Sequence, residues 1–173
     1  TAAALADMGA TVILACRSKE RGEAALGELT CVNGRCMALM QLDLADLESV
    51  RAFADAFTQR YGRLDVLINN AGILGRRRAE TKQGFEMSFG VNYLGAFLLT
   101  QLLLPLLEQS EQGRIVMMSS IAYGWVDVRF DDLNYTHGYN RFLAYGHSKL
   151  CNLLFTRALA DKLRQKGSRV TIN

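Results

Sequence analysis

Tyr145 and Lys149 stand four residues apart in the string Tyr145-Gly146-His147-Ser148-Lys149. The segment reads as the start of a helix, where residues at that spacing share a face. A free tyrosine is a poor base at neutral pH. A lysine ammonium within a few ångström favours the phenolate, so such a pair can move a proton to or from an alcohol or carbonyl oxygen. Alone, the spacing is common on ordinary helix surfaces. Three other strings give it context. Gly113-Arg114-Ile115-Val116-Met117-Met118-Ser119-Ser120 is an apolar strand ending in two hydroxyls. Parallel sheets bind ligands beyond the carboxyl ends of their strands, and a serine there can donate to a developing oxyanion. Asn69-Asn70-Ala71-Gly72 ends another strand with small residues and amides suited to a flat ligand edge. Asn92 puts an amide inside a long apolar helix, where burial costs free energy unless it is hydrogen-bonded.

The elements that must hold these groups alternate along the chain. Thr1 to Met8 reads as the tail of a helix, with Gly9 in the position after its end that favours positive φ. Strands are expected at Thr11 to Cys16, Cys36 to Leu42, Leu64 to Asn69, Arg114 to Ser119 and Arg169 to Asn173. Between them lie helical stretches at Lys19 to Leu29, Asp46 to Tyr61, Gly84 to Glu108 and Leu143 to Lys166. The second, Asp46 to Tyr61, has the clearest period, with apolar residues at 47, 50, 53, 54 and 57. Continuous apolar strands joined by helices predict an α/β fold with a parallel sheet covered on both faces. The least regular stretches are Gly72 to Gln83 and Ile121 to Phe142, and loops of that length tend to be functional.

Composition excludes several classes. The 173 residues suit one domain, half are apolar, and 20 Lys and Arg stand against 17 Asp and Glu. The basic residues are scattered, so nucleic acid is not an expected partner. Cys16, Cys31, Cys36 and Cys151 form no ligand set with the two histidines, so no metal site is expected. Cys31 and Cys36 flank an Asn33-Gly34 turn and read as free thiols in a reducing compartment. The longest apolar stretch, Tyr93 to Leu107, is interrupted by Thr100, Gln101 and Pro105 and reads as a buried helix rather than a membrane span.

Taken together, N-N-A-G (69–72), V-N-Y-L-G (91–95), G-R-I-V-M-M-S-S (113–120) and Y-G-H-S-K (145–149) resemble the short-chain dehydrogenase/reductases. V-I-L-A-C-R-S (12–18), L-D-L-A-D-L-E-S-V-R-A-F (42–53), F-D-D-L-N (130–134) and S-K-L-C-N-L-L-F-T-R-A-L-A (148–160) resemble the retinol dehydrogenase-like branch. The resemblance covers essentially the whole chain. It implies a Rossmann-like, doubly wound parallel sheet and an oxidoreductase that interconverts an alcohol and an aldehyde or ketone, retinoid or otherwise lipophilic. By the same resemblance Tyr145 is the acid/base, and Lys149 assists it and binds the nicotinamide ribose. Ser120 holds the substrate oxygen, with Ser119 as the fallback, and Asn92 anchors a proton-relay water. Asn70, Ala71 and Gly72 line the adenosine side of the cofactor, and Asp43 and Leu44 contact adenine.

The strand ending Ala15-Cys16-Arg17-Ser18 carries no acid to hold a ribose 2′-hydroxyl. Arg17, with Ser18 beside it, can instead form charge-assisted bonds to a 2′-phosphate, so NADP(H) is the expected cofactor. Arg76-Arg77-Arg78 reads as a solvated basic run and His137 as a surface residue. His147 projects away from the face shared by Tyr145 and Lys149. Asn134-Tyr135-Thr136 is a glycosylation sequon by pattern only. Trp125, Phe130 and Phe142 fit an apolar lid or a core equally well.

Relative to the family, the chain reads as residues 1–173 of a partial domain. The first strand and its Gly-rich phosphate turn are absent, as is the C-terminal substrate region. Strand one is central in that sheet, so exposed strand edges and inactivity of this piece alone are expected. The long helices at Gly84 to Glu108 and Leu143 to Lys166 resemble interface helices and imply a homodimer contact. Localisation is open between the endoplasmic reticulum membrane and the cytoplasm, with any membrane association belonging to the parent chain. Two other readings stand beside this one: a sugar-nucleotide epimerase-type relative, and a non-catalytic NADP-binding or interaction protein.

Overall fold

The computed structural model describes residues 1–30 and 37–173, and of residues 29 and 30 the backbone only. The Cys31 and Cys36 thiols and their intervening turn lie outside the described residues. The chain divides into two compact units, residues 1–43 and residues 44–173. The strands form two parallel sheets, one in each unit.

In the first unit, α1 (Ala2–Asp7) leads through Gly9 to β1 (Val12–Cys16). Gly9 has φ +87°, the left-handed conformation that a glycine after a helix end adopts most readily. α2 (Lys19–Thr30) follows, and β2 (Met37–Gln41) pairs with β1 in parallel register, Val12 opposite Met37 and Cys16 opposite Gln41. The expectation of a strand covered on both faces is not met in β1: Val12, Ile13 and Leu14 are half-buried and Ala15 is exposed.

In the second unit, α3 (Leu47–Arg60) carries the anticipated amphipathic face, burying Val50, Phe53, Ala54 and Phe57. Its start is fixed by Asp46, whose carboxylate accepts from the Glu48 N–H at 3.0 Å, as an N-cap does. Gln83 accepts from the Leu47 N–H at 3.1 Å and donates to Asp46 at 3.0 Å, so the 82–83 turn is clasped to the helix end. The Lys82–Asp46 ion pair is screened by solvent, so the cap and the apolar face hold the helix.

β3 (Val66–Asn69), β4 (Arg114–Met117) and β5 (Thr171–Ile172) pair in parallel in the order β3-β4-β5. β4 stops two residues short of the expected end at Ser119, so both serines lie beyond the strand. Ile115, Met117 and Ile172 join Ala96, Leu107, Phe155, Leu159, Leu163 and Val170 in the core. Val66 of β3 is exposed, as expected of a sheet edge.

The long apolar helix differs from expectation in two ways. Its first part, Phe89–Gly95, is wound as a π-helix, and only Ala96–Glu108 is regular; the latter is α4. It also meets the length and apolarity of a membrane-crossing helix over Phe89–Glu108, which the interrupting residues argued against. More than half of that stretch is packed inside the protein, and Leu99, Thr100, Leu103, Leu106 and Leu107 are buried. A 3₁₀ helix, Ile121–Trp125, breaks the stretch read as irregular. α5 (Arg141–Gln165) then begins two residues earlier than the pattern indicates, because the Asn140 side chain accepts from the Phe142 and Leu143 N–H groups.

Candidate active site

Lys149 is 97 % buried, and its Nζ donates to the Met118 carbonyl oxygen at 2.9 Å. Burial pulls its pKa below the ordinary lysine value. The same ammonium lies 5.7 Å from the centroid of the Tyr145 ring. The shared helix face anticipated from the four-residue spacing is therefore present in α5. Tyr145 is half-buried, and among the described residues its hydroxyl makes no hydrogen bond.

Asn92 sits in the π-helical segment with 1 % of its surface exposed. Its Oδ1 accepts from the Ile73 N–H at 2.7 Å, and its Nδ2 donates to the Ile73 carbonyl at 3.0 Å and to Ser148 Oγ at 2.9 Å. An amide buried without these partners would cost roughly 1–3 kcal/mol, so full pairing is what lets a polar residue sit here. Irregular π turns recur at functional sites. Gly72 stands at the same place: a Cβ on it would lie 3.4 Å from Lys149 Nζ and 3.5 Å from Asn92 Oδ1. Asn70, Ala71 and Gly72 are all exposed beyond the end of β3. Asn69, the first residue of that string, faces inward and donates to Thr100 Oγ1 at 2.9 Å.

The two serines after β4 differ in what their hydroxyls do. Ser119 Oγ donates to the Lys149 carbonyl at 3.0 Å. Ser120 Oγ accepts from the Ala122 N–H at 3.3 Å and caps the 3₁₀ helix, which leaves its proton available. Gly146 lets that helix close on α5, since a Cβ there would be 2.6 Å from the Ala122 carbonyl oxygen. Leu44 also lies in this unit, with its carbonyl 2.6 Å from where a Cβ of Gly95 would be.

Arg17, Ser18 and Asp43 belong to the first unit. Arg17 is exposed after β1, its carbonyl accepting from Gln41 Nε2 at 3.4 Å. Ser18 Oγ accepts from the Arg21 N–H at 3.2 Å and donates to Glu20 at 2.8 Å. Glu20, absent from the expected site, is thus the nearest acid to the Arg17-Ser18 turn that the hydrogen bonds reveal. Asp43 is half-buried.

Several surrounding residues depart from expectation. Arg78 is not merely solvated: its guanidinium donates to the Tyr135 carbonyl at 3.1 Å and to Glu80 at 2.8 Å. Arg76 and Arg77 are exposed as anticipated. Asn134 of the sequon accepts from the Glu86 N–H at 3.0 Å, so its amide is tied inward. His147 is fully buried, stacked on Phe89 at 5.4 Å, and burial lowers its pKa. The His137 side chain is exposed. Trp125, Phe130 and Phe142 are 61, 84 and 50 % exposed, which removes the core alternative for them. The site also holds residues the sequence reading passed over: the Ile73 backbone, the Met118 carbonyl, and Ser148. Its place three residues after Tyr145 and next to Lys149 was the available signal for the last.

In the second unit a buried lysine beside a tyrosine ring stands next to the Met118 carbonyl, just past the carboxyl end of β4, where parallel α/β sheets bind their ligands. The short chain dehydrogenase family model matches residues 1–173, and the chain belongs to that family. It is 49 % identical over 187 residues to retinol dehydrogenase 14 of Homo sapiens, covering 100 % of this chain and 55 % of that protein. The chain thus spans about half the length of the curated relatives it matches. A crystal structure of an uncharacterized protein from Mycobacterium paratuberculosis superposes with TM-score 0.87 and 44 % identity, covering 98 % of this chain and 59 % of that one. A short chain dehydrogenase from Shigella flexneri, solved in complex with NADP, superposes with TM-score 0.76 and 29 % identity, covering 98 % of this chain and 66 % of that one.

Proposed function

We propose that the protein is an NADP(H)-dependent oxidoreductase interconverting a lipophilic alcohol and the corresponding aldehyde or ketone. The observation that carries this is the Lys149 ammonium, buried yet held 5.7 Å from the Tyr145 ring centroid, with the tyrosine hydroxyl free of partners among the described residues. A cation held beside the ring is placed to attract the negative charge that develops as the proton leaves.

The residues present fit the dinucleotide. Lys149 uses one N–H on Met118 and keeps two for ribose hydroxyls. The open edge at Asn70–Gly72, where a side chain on Gly72 would press on Lys149 and Asn92, suits a flat ligand. Arg17, exposed after β1, offers a guanidinium to a 2′-phosphate. When bound, the dinucleotide supplies or accepts the hydride at the substrate carbon.

The chain's own part is the oxygen end of the reaction. In reduction the Tyr145 hydroxyl gives its proton to the carbonyl oxygen as the C–O bond becomes single. In oxidation the phenolate takes the alcohol proton. Ser120 donates to the same oxygen and orients it; that the Ser119 hydroxyl already donates to the Lys149 carbonyl supports this choice of serine. Asn92, fixed by three hydrogen bonds, holds the backbone where a relay water can refill the tyrosine proton.

Ile121, Trp125, Phe142 and Leu143 are exposed on the 3₁₀ helix after Ser120 and on the first turn of α5. They flank the reactive residues in sequence and in the fold, which favours a lipophilic substrate over a sugar nucleotide. The reading is tested on the full-length natural chain, with NADPH carrying deuterium at the transferable position and a panel of lipophilic aldehydes and ketones, retinal among them. Deuterium should appear at the carbinol carbon of the product. Tight NADPH binding with no transfer to any member of the panel would favour a binding protein instead.

A further inference from the structure

Ser148 lies between the two members of the Tyr145–Lys149 pair in sequence and has no exposed surface. Its hydroxyl makes two hydrogen bonds with opposite roles. It accepts from Asn92 Nδ2 at 2.9 Å and donates to the Tyr145 carbonyl at 2.7 Å. The directions are fixed by chemistry. The Ile73 N–H can only donate, so Asn92 must present Oδ1 to it and Nδ2 to Ser148. The serine has one proton, and the Tyr145 carbonyl can only accept it. The result is a continuous oriented chain from the Ile73 backbone through Asn92 and Ser148 to the turn of α5 that bears Tyr145.

We propose that Ser148 is a positioning residue, locking the π-helical Asn92 to the α5 turn so that the Tyr145 hydroxyl and the Asn92 backbone keep one separation during proton transfer. The proposal rests on the reaction assigned above. No other side-chain hydrogen bond among the described residues joins the Phe89–Gly95 segment to α5. Aromatic packing of Phe89 on His147 also spans the two elements, but it is non-directional and does not set the register of a hydroxyl to within a few tenths of an ångström.

The test is a kinetic double-mutant cycle in the full-length natural chain, using Ser148→Ala, Asn92→Ala and both together. Ser148→Ala should lower kcat about 10-fold while the KM for NADPH moves less than about 2-fold, since cofactor contacts are untouched. In the Asn92→Ala background the same change should cost almost nothing further, because residues acting through one another are non-additive. If Ser148→Ala does not accumulate as folded protein, Ser148→Cys, which keeps the volume and a weak donor, is read in the same two backgrounds. An equal loss in both backgrounds, or an unchanged kcat, overturns the proposal and leaves the reaction intact. A wild-type chain that binds NADPH but transfers no hydride overturns the reaction and the proposal together.

Discussion

Lys149 Nζ lies 5.7 Å from the centre of the Tyr145 ring and donates 2.9 Å to the Met118 carbonyl, so a buried cation is aimed at a phenol with a single neutral hydrogen bond to steady it. One hydrogen bond does not offset the desolvation of an ammonium, and the lysine pKa is pulled down accordingly.

Removing either member should therefore act on the chemical step. Tyr145→Phe is expected to lower kcat by about 10²–10⁴-fold with little change in NADPH affinity. Lys149→Met should lower kcat similarly and also raise the Kd for NADPH. Steady-state kinetics with a fluorescence titration of NADPH separates the two. Equal loss of affinity in both variants would contradict the division of roles.

Gly146 sets the distance between the 3₁₀ helix and α5. A Cβ there would meet the Ala122 carbonyl at 2.6 Å, against backbone that has no rotamer to yield. Gly146→Ala should cost about 1–3 kcal/mol of stability and displace Ser120 from Tyr145. Thermal denaturation and kcat are both expected to fall; a variant as stable and active as wild type would mean the two helices separate freely.

The cofactor preference falls on Arg17. Arg17→Ala should raise the KM for NADPH about 10–100-fold, the worth of charge-assisted bonds to a phosphate, and leave the KM for NADH nearly unchanged. Equal effects on the two cofactors would show that the guanidinium meets something other than the 2′-phosphate.

Cys151 supplies a pH dependence. Burial raises its thiol from 9.0 to about 11 in the fold, while the unfolded chain keeps the ordinary value. The unfolded state thus loses a proton first, so this contribution to stability is complete below pH 9 and disappears as the pH rises through about 11. Denaturant midpoints measured across that range should decline more steeply for wild type than for Cys151→Ala. The same shift keeps the thiol protonated at pH 8, so alkylation by iodoacetamide should be slow until the protein is unfolded.

Asp132 works in the opposite sense. The Thr136 and His137 N–H groups hold its carboxylate down to about 2, against 3.8 when unfolded. The stabilisation is present above pH 3.8 and lost as the pH falls through about 2. Asp132→Asn should flatten the acid limb of the stability curve, measured by circular dichroism.

The order of strands and helices was legible from one sequence because it depends on local signals: β-branched apolar runs, the period of α3, and the glycine after α1. The Tyr145–Lys149 pair was legible for the same reason, since four residues in a helix fix a shared face regardless of what surrounds it. The π winding at Phe89–Gly95 was not: no local pattern marks it, and the segment's contacts, Gly95 against Leu44 and Asn92 on the Ile73 backbone, join residues far apart in the chain. Tertiary contacts alone also tied the Ser119 hydroxyl to the Lys149 carbonyl, turned Arg78 and Asn134 inward, and left Trp125, Phe130 and Phe142 outside the core. Residue types and spacing determined which groups could do the chemistry; which of their hydrogen bonds remain free for a substrate was determined by packing, because a donor's availability depends on every neighbour it meets.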